Sequence, residues 1–422
     1  MYQKTILDNG LRIISETMPQ THSASICIFV GVGSRYETNA RAGISHFVEH
    51  GLFRGTQKRP TSRDISEAIE GVGGVLNGGT DRESTVYWCK VARPHFEMAL
   101  DVLSDMLLNS RFETEDIEKE RQVIIEEINM SYDSPSSKVG LIIEKLLWPA
   151  DPLGRDIAGT KKSVSCIRRT DLLEYIRKQY IPAKTVVSIA GNVEHKEAVA
   201  AVKKCLGGWT GAGQRPGHRG FREHQASRVG IETRDIEQTH MCLALPGLSL
   251  FDPQRFTLDM MNVILGEGMS SRLFCEVRDK LGLAYSVQSY VDHLKDTGSL
   301  IVYAGVDTSK ARLALAAIIK ELMRFKEETI SPPELSKAKE MSKGQLALRL
   351  EDSRHVAGWL GGQETLTGRI LTLDDVNEIV DSVKAEDIKH LAHNLINRSK
   401  MRLAVVGPLQ KPEQLSKLIE AD

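Results

Sequence analysis

Residues 84–92 read Ser-Thr-Val-Tyr-Trp-Cys-Lys-Val-Ala, and residues 299–307 read Ser-Leu-Ile-Val-Tyr-Ala-Gly-Val-Asp. Both stretches are rich in β-branched and aromatic residues, which is typical of strands. Apolar side chains with helical spacing follow each stretch, at identical intervals: Phe96, Ala99, Leu100, Leu103 and Met106 in the first copy, and Leu315, Ile318, Ile319, Leu322 and Phe325 in the second. This pattern, repeated about half a chain length apart, indicates an internal duplication.

Both copies then continue into a second charged helix, beginning at Glu115 and at Pro332. Residues 211–228 are glycine-rich and basic and lack apolar periodicity, which is typical of a linker. We therefore predict an N-terminal domain at 1–210, a linker at 211–228 and a C-terminal domain of the same fold at 229–422. The mixture of strands and helices without βαβ alternation predicts an α+β class, each domain an antiparallel-rich sheet with helices packed on one face. Chance similarity between amphipathic helices is the alternative to duplication.

The composition excludes several classes of function. The 422 residues carry 55 Lys+Arg against 56 Asp+Glu, and aromatic residues make up 5%, so the chain is not expected to bind nucleic acid. No apolar run approaches the roughly 18 residues of a membrane span, and the start of the chain predicts strand, Asn9-Gly10 turn and strand rather than a signal peptide. Six scattered cysteines without a CxxC pair indicate free thiols in a reducing compartment. We predict a cytoplasmic protein without membrane association.

A set of metal-binding side chains occurs in the first half, where residues 43–50 read Gly-Ile-Ser-His-Phe-Val-Glu-His. On a helix, His46 and His50 project from one face, one turn apart, and Glu49 falls on the same side. Two imidazoles at this spacing suit zinc, and the carboxylate beside them suits a base for metal-bound water, as in the inverted HxxEH motif. Taken alone, the pattern is equally compatible with a helix surface that carries two histidines and an acid.

A catalytic zinc ion usually takes three protein ligands, and the acidic helix after Glu115 is the best source of the third. Glu120 and Glu127 share one face of that helix within about 20°, whereas Glu126 is displaced by about 100°. This pair suits a ligand, Glu127, backed by an acid, Glu120, that orients an imidazole. Taken alone, an acidic solvated face is the more common explanation, and the histidine motif favours the metal site. The packed stripe of this helix is predicted at Val123, Ile124 and Ile128.

These motifs resemble the pitrilysin/insulinase family of inverted-motif zinc peptidases. The resemblance spans essentially the whole chain and includes residues 33–37 (GSRYE), 43–56 (GISHFVEHGLFRGT), 77–80 (NGGT), 120–128 (ERQVIIEEI) and 151–160 (DPLGRDIAGT). The length is similar to that of the short members, the catalytic subunit of mitochondrial processing peptidase and its bacterial relatives. The resemblance implies one zinc ion per chain on His46, His50 and Glu127, with Glu49 as the base and Glu120 behind the ligands.

The second half has no HxxEH motif, so we expect no zinc site there. Arg278 and Tyr285 flank Gly282, which suggests a helix end and a turn, and both side chains can donate to a peptide carbonyl or an oxyanion. A surface arginine and a packed tyrosine are the more common explanation for such residues. The stretch nevertheless resembles the Arg–Tyr pair by which the family completes its active site. Gln238-Thr239-His240 also resembles a family motif, and no role is assigned to it.

Together these features predict a zinc metalloendopeptidase that hydrolyses unfolded peptides or presequence-like segments, with metal-bound water as the nucleophile. The substrate is expected to add as a strand along residues 75–80, at Asn77, Gly78 and Thr80. Gly78 departs from the family, which often has alanine there. The resemblance implies a homodimer, or a heterodimer with a related subunit. The alternative function is a non-catalytic subunit that scaffolds a partner peptidase or complex, although such chains typically lose ligands of the histidine motif.

Overall fold

The computed structural model describes residues 1–211, 220–223, 227–411 and 413–420. The chain forms two compact units, each assembled from three segments. Unit 1 contains Met1–Asn129, Asp156–Arg219 and Ala347–Thr372, and unit 2 contains Met130–Arg155, Gly220–Leu346 and Leu373–Asp422.

The strands are β1 Gln3–Ile6, β2 Arg12–Thr17, β3 Ser23–Val30, β4 Val75–Thr80, β5 Thr85–Ala92, β6 Thr185–Gly191, β7 Val229–Thr233, β8 Gln238–Pro246, β9 Ala284–His293, β10 Gly298–Asp307 and β11 Arg402–Gly407. The α-helices are α1 Ile44–Leu52, α2 Ser62–Glu70, α3 Phe96–Asn109, α4 Thr114–Asp133, α5 Pro135–Leu147, α6 Lys161–Cys166, α7 Arg169–Gln179, α8 His195–Leu206, α9 Arg255–Gly266, α10 Ala311–Glu327, α11 Pro332–Arg349, α12 Ser353–Leu366, α13 Leu373–Ser382, α14 Ala385–Leu395 and α15 Glu413–Glu420. A π-helical segment spans Phe274–Lys280.

Unit 1 is built on a six-stranded sheet in the order β1-β2-β6-β3-β5-β4. Its pairs are antiparallel except β2 with β6, which run parallel. The predicted N-terminal hairpin is present, and Gly10 adopts the left-handed φ of +85° that its turn requires. The strand β5 lies next to β4, which forms one edge of the sheet.

The first sheet is buried on both faces. On one face, Ile26 and Ile28 pack with the α3 side chains Leu100 and Leu103 in a large apolar core. On the other face, Phe29 packs with α12, whose buried residues there are Val356, Ala357 and Leu360. Because α12 lies in the second half of the chain, the unit 1 core depends on residues far along the sequence.

Unit 2 has the corresponding construction, with a five-stranded sheet in the order β7-β11-β8-β10-β9. Only β7 with β11 is a parallel pair among the described strands of this sheet. The helices α9 and α10 contact the sheet. The face that includes Cys242, Ala244 and Ile301 packs against Val139 and Ile143 of α5, a helix from the first half of the chain.

The predicted α+β class with two antiparallel-rich sheets is confirmed. We predicted helices on one face of each sheet. The structure also has a helix on the second face of each sheet, and that helix comes from the other half of the chain. For this reason the units differ from the contiguous ranges 1–210 and 229–422 at residues 130–155 and 347–372. Of the predicted linker 211–228, residues 212–219 and 224–226 lie outside the described residues.

Among the described residues, no helix has the length and apolar character needed to cross a membrane. All six cysteines are free thiols, and Cys27, Cys89 and Cys242 are buried.

Candidate metal centre

The helix α1 carries His46, Glu49 and His50. Its apolar residues Ile44, Phe47, Val48 and Leu52 are buried in the unit 1 core. They recur at helical spacing, so His46, Glu49 and His50, which are only partly buried, project from the other side of the helix. The HxxEH motif is therefore presented from a helix whose orientation is fixed by the core.

The helix α4 supplies the two predicted acids. Glu120 is buried, Glu127 is partly exposed and Glu126 is exposed, as the helical spacing predicts. Ile117, Ile124 and Ile128 are the buried apolar residues of this helix. The prediction for Val123 is wrong, because this side chain is 40% exposed; the buried stripe continues to Ile117, which fits 3.6 residues per turn better.

Two imidazoles and one carboxylate converge between α1 and α4. His46 Nε2 lies 3.1 Å from His50 Nε2. Glu127 Oε2 lies 3.6 Å from His46 Nε2 and 3.5 Å from His50 Nε2. These three atoms form a nearly equilateral triangle.

The triangle fits a zinc ion. In a tetrahedral site with metal–ligand bonds of about 2.0–2.1 Å, neighbouring ligand atoms are separated by about 3.3–3.4 Å. The three separations on this chain scatter closely around that value. Two neutral imidazoles and a carboxylate are also a ligand set that zinc prefers in catalytic sites.

Glu49 is a second carboxylate close to the histidines, and it forms a group of possible metal ligands with His46 and His50. Its Oε2 lies 4.0 Å from His46 Nε2, farther than the Glu127 oxygen. Because Glu127 approaches both rings more closely, it is the better third ligand, and Glu49 lies beside the site rather than completing it. This is the arrangement that a base requires.

Glu120 and Arg54 lie on the side of His50 that faces away from His46. His50 Nδ1 lies 2.8 Å from Glu120 Oε2, which leaves Nε2 directed at the ligand cluster. Arg54 forms an ion pair with the other oxygen of Glu120. Arg54 was not among the predicted site residues, because spacing along one helix does not indicate its partner on α4.

The protonation tendencies of the cluster suit a metal site. Burial, with a smaller contribution from the neighbouring His50, lowers the pKa of His46 to about 4, so the His46 ring is neutral at pH 7 and able to ligate. Burial also raises the pKa of Glu49, and the charge of Glu127 adds to this effect. His50 and the hydroxyl of Thr80 act in the opposite direction on Glu49.

The edge strand β4 passes beside Glu49. The hydroxyl of Thr80 donates to Glu49 Oε2 over 3.5 Å, and a Cβ on Gly78 would lie 2.9 Å from Glu49 Oε1. Alternation along the strand puts Asn77 on the opposite face, where its side chain accepts from the Gly78 N–H. Of the three predicted substrate-strand residues, the structure thus brings two to Glu49.

Arg278 and Tyr285 belong to unit 2, where they lie close to each other. Arg278 is in the π-helical segment, and its guanidinium is centred 5.7 Å from the Tyr285 ring. Gly282 ends the segment with a φ of +58°, as the predicted turn requires. Tyr285 is 74% exposed on β9, so its hydroxyl is accessible. In the Gln238-Thr239-His240 motif, His240 Nδ1 lies 2.8 Å from the Tyr303 hydroxyl.

Family models and curated relatives match most of this chain. A family model described as Insulinase (Peptidase family M16) matches residues 12–161, and a model described as Peptidase M16 inactive domain matches residues 167–342. Two curated relatives are described as uncharacterized zinc proteases. The one from Streptomyces coelicolor is 37% identical over 99% of this chain and 92% of its own length. YmxG of Bacillus subtilis is 34% identical over 97% of this chain and 98% of its own length. The chain belongs to the insulinase family of peptidases, family M16.

Solved structures show the same fold. A protease from Helicobacter pylori superposes with a TM-score of 0.92 at 22% identity, covering 97% of this chain and 99% of its own. A peptidase M16 inactive domain protein from Pseudomonas fluorescens superposes with a TM-score of 0.89 at 20% identity, covering 97% of this chain and 98% of its own. At these identities the likeness concerns the fold alone.

Proposed function

We propose that this chain is a zinc metalloendopeptidase that hydrolyses peptide bonds in unfolded peptides or presequence-like segments. The observation that carries the proposal is the triangle formed by His46 Nε2, His50 Nε2 and Glu127 Oε2, with separations of 3.1–3.6 Å and with Glu49 beside it. In this proposal the three residues hold one zinc ion per chain.

A bound zinc ion supplies Lewis acidity, which lowers the pKa of water and polarises a peptide carbonyl. Glu49 accepts the proton of the attacking water and transfers it to the leaving amine. Its raised pKa supports this role, because a carboxylate that is more basic than usual is a better proton acceptor near neutral pH. Thr80 holds the carboxylate through its hydroxyl, and Glu120 keeps His50 oriented.

The substrate in this proposal binds as an additional strand along the edge of β4. Backbone hydrogen bonds at such an edge give affinity with little dependence on sequence, which suits an enzyme for extended peptides. Because Thr80 and Gly78 lie next to Glu49, the backbone of a peptide bound along β4 would pass close to Glu49. Asn77 lies on the other face of the strand. Arg278 and Tyr285 are proposed as donors to the oxyanion, since both are exposed and lie side by side.

The assembly and location are also proposals. This chain carries both the metal-binding residues and the Arg278–Tyr285 pair, so a homodimer is the simpler arrangement, and pairing with a related subunit is the alternative. The free state of all six cysteines supports a reducing, cytoplasmic location.

A decisive experiment combines zinc stoichiometry with cleavage of a panel of quenched peptides, before and after treatment with a chelator. The proposal predicts one zinc ion per chain, cleavage of unstructured peptides, loss of cleavage with the chelator and recovery with zinc. Zinc binding without any cleavage would favour the alternative, a non-catalytic subunit. The complete set of His46, Glu49, His50 and Glu127 is the feature that favours catalysis.

A further inference from the structure

Glu37 is a buried acid next to the metal-bearing helix, and the mechanism above does not use it. Its side chain accepts two backbone hydrogen bonds at the start of α1. Glu37 Oε2 accepts from the Gly43 N–H at 2.8 Å, and Oε1 accepts from the Ser45 N–H at 2.7 Å. The residue is 7% exposed, so these bonds are shielded from water.

The helix cannot be capped by its own N-cap residue. That residue is Gly43, which has no side chain and adopts a φ of +91°. A Cβ at this position would also lie 2.4 Å from the carbonyl oxygen of Ala158. Since serine, threonine or aspartate would be strained and obstructed here, the acceptor must come from elsewhere, and Glu37 provides it.

The two bonds fix the part of the helix that carries the first ligand. Ser45 directly precedes His46, and both lie in the first turn, where backbone N–H groups have no partner within the helix. Satisfying these groups holds the turn in place. It therefore sets the position of the His46 ring relative to His50, one turn further along.

Residues 33–37 also bind the loop that follows β4. The Ser34 N–H donates to the Asp81 carbonyl at 3.1 Å, and the Arg35 N–H donates to the Arg82 carbonyl at 2.9 Å. The Arg35 guanidinium pairs with Glu83 at 2.6 Å, and both side chains are buried. The segment thus connects the end of the edge strand to the beginning of the metal-bearing helix.

We infer that Glu37 is a positioning residue of the metal site: through Gly43 and Ser45 it holds the first turn of α1, and its segment ties that turn to β4. The inference rests on the zinc site of the proposed function. Glu37 contacts neither substrate nor ligand atoms in this role. It acts through the helix backbone.

The test measures zinc affinity by competition with a chromophoric chelator, for the wild type and for Glu37→Ala and Glu37→Gln. We expect Glu37→Ala to weaken zinc binding by about tenfold, the lower end of the effect of residues that support metal ligands. Glu37→Gln keeps one acceptor oxygen, so the zinc affinity of this variant should fall between those of the wild type and Glu37→Ala. Asp64→Asn is the matched control, because Asp64 likewise accepts a backbone hydrogen bond at the start of a helix, from the Thr61 N–H, but that helix is α2, which carries none of the proposed ligands.

Kinetics separate positioning from general destabilisation. At saturating zinc, the Glu37 variants should show a reduced kcat with an unchanged KM, because β4 remains paired with β5 while the turn before Glu49 is less fixed. Equal zinc affinity in the Glu37 variants and the wild type would overturn the inference, and so would an equal loss in Asp64→Asn. A wild-type protein that binds no zinc would instead overturn the proposed function, and this inference with it.

Discussion

His50 and Glu120 form a hydrogen bond of 2.8 Å between Nδ1 and Oε2, on the side of the ring that faces away from the other imidazole. Glu127, two turns further along the same helix as Glu120, lies 3.5 Å from Nε2 of this ring. Glu120 and Glu127, which share one face of α4, therefore lie on opposite sides of the His50 ring. A carboxylate at Nδ1 orients the ring and leaves Nε2 directed towards His46 and Glu127.

The Glu120–His50 bond predicts an effect on metal affinity. Glu120→Gln should weaken zinc binding by about 10- to 100-fold, because the ring loses its charged acceptor. Chelator competition measures the change. Glu126→Gln, on the same helix but exposed, is the control and should bind zinc like the wild type. Equal affinities for the two variants would show that Glu120 does not support the ligand.

The position of Glu49 predicts a separation of catalysis from metal binding. Glu49→Gln should lower kcat by at least about 10²-fold, the usual contribution of a positioned base. Zinc content should stay at the wild-type level, since Glu127 rather than Glu49 is the nearer carboxylate to both histidines. Metal analysis and peptide cleavage on the same preparation check both points. Turnover close to wild type would remove Glu49 from the role of base.

The packing of α12 against the unit 1 sheet predicts the effect of a substitution on the free energy of unfolding. Leu360 is 3% exposed and packs in the cluster with Phe29, so Leu360→Ala should lower the free energy of unfolding by about 2–5 kcal/mol. Leu348→Ala is the control, because Leu348 is 69% exposed and should change stability little. Denaturant titration measures both. Similar midpoints for the two variants would contradict the packing of α12.

A histidine of unit 2 predicts a pH dependence of stability. Burial alone would lower the pKa of His293, but the hydrogen bond of 3.1 Å and the charge of Asp259 outweigh it and raise the pKa. The folded state therefore binds this proton more tightly. The resulting stability is fully present below the unfolded pKa of about 6.5 and is lost as the pH rises through the folded value.

Asp259→Asn should accordingly destabilise the protein more at pH 5.5 than at pH 8.5, as measured by the midpoint of chemical denaturation. Asp252→Asn is a suitable control, because Asp252 accepts from the Gln254 N–H and has no histidine partner among its described hydrogen bonds. A loss of stability in Asp259→Asn that is the same at both pH values would contradict the His293 assignment.

Local spacing was sufficient for much of the fold and of the candidate site. The period of the helix alone placed His46 and His50 on one face and separated Glu126 from Glu127. The apolar positions of α3 and α10, predicted from the repeat, are buried. The same reasoning could not find Arg54, because its partner Glu120 lies on another helix.

The sequence by itself determined the α+β class, the HxxEH motif on one helix face and the separation of Glu127 from Glu126, because each follows from the geometry of a single helix or strand. Only the tertiary structure decided that α5 and α12 cover the second faces of the sheets, and that Glu37 caps the helix of His46. Those contacts join residues distant in the chain. Chain connectivity and periodicity carry no information about which distant surfaces meet.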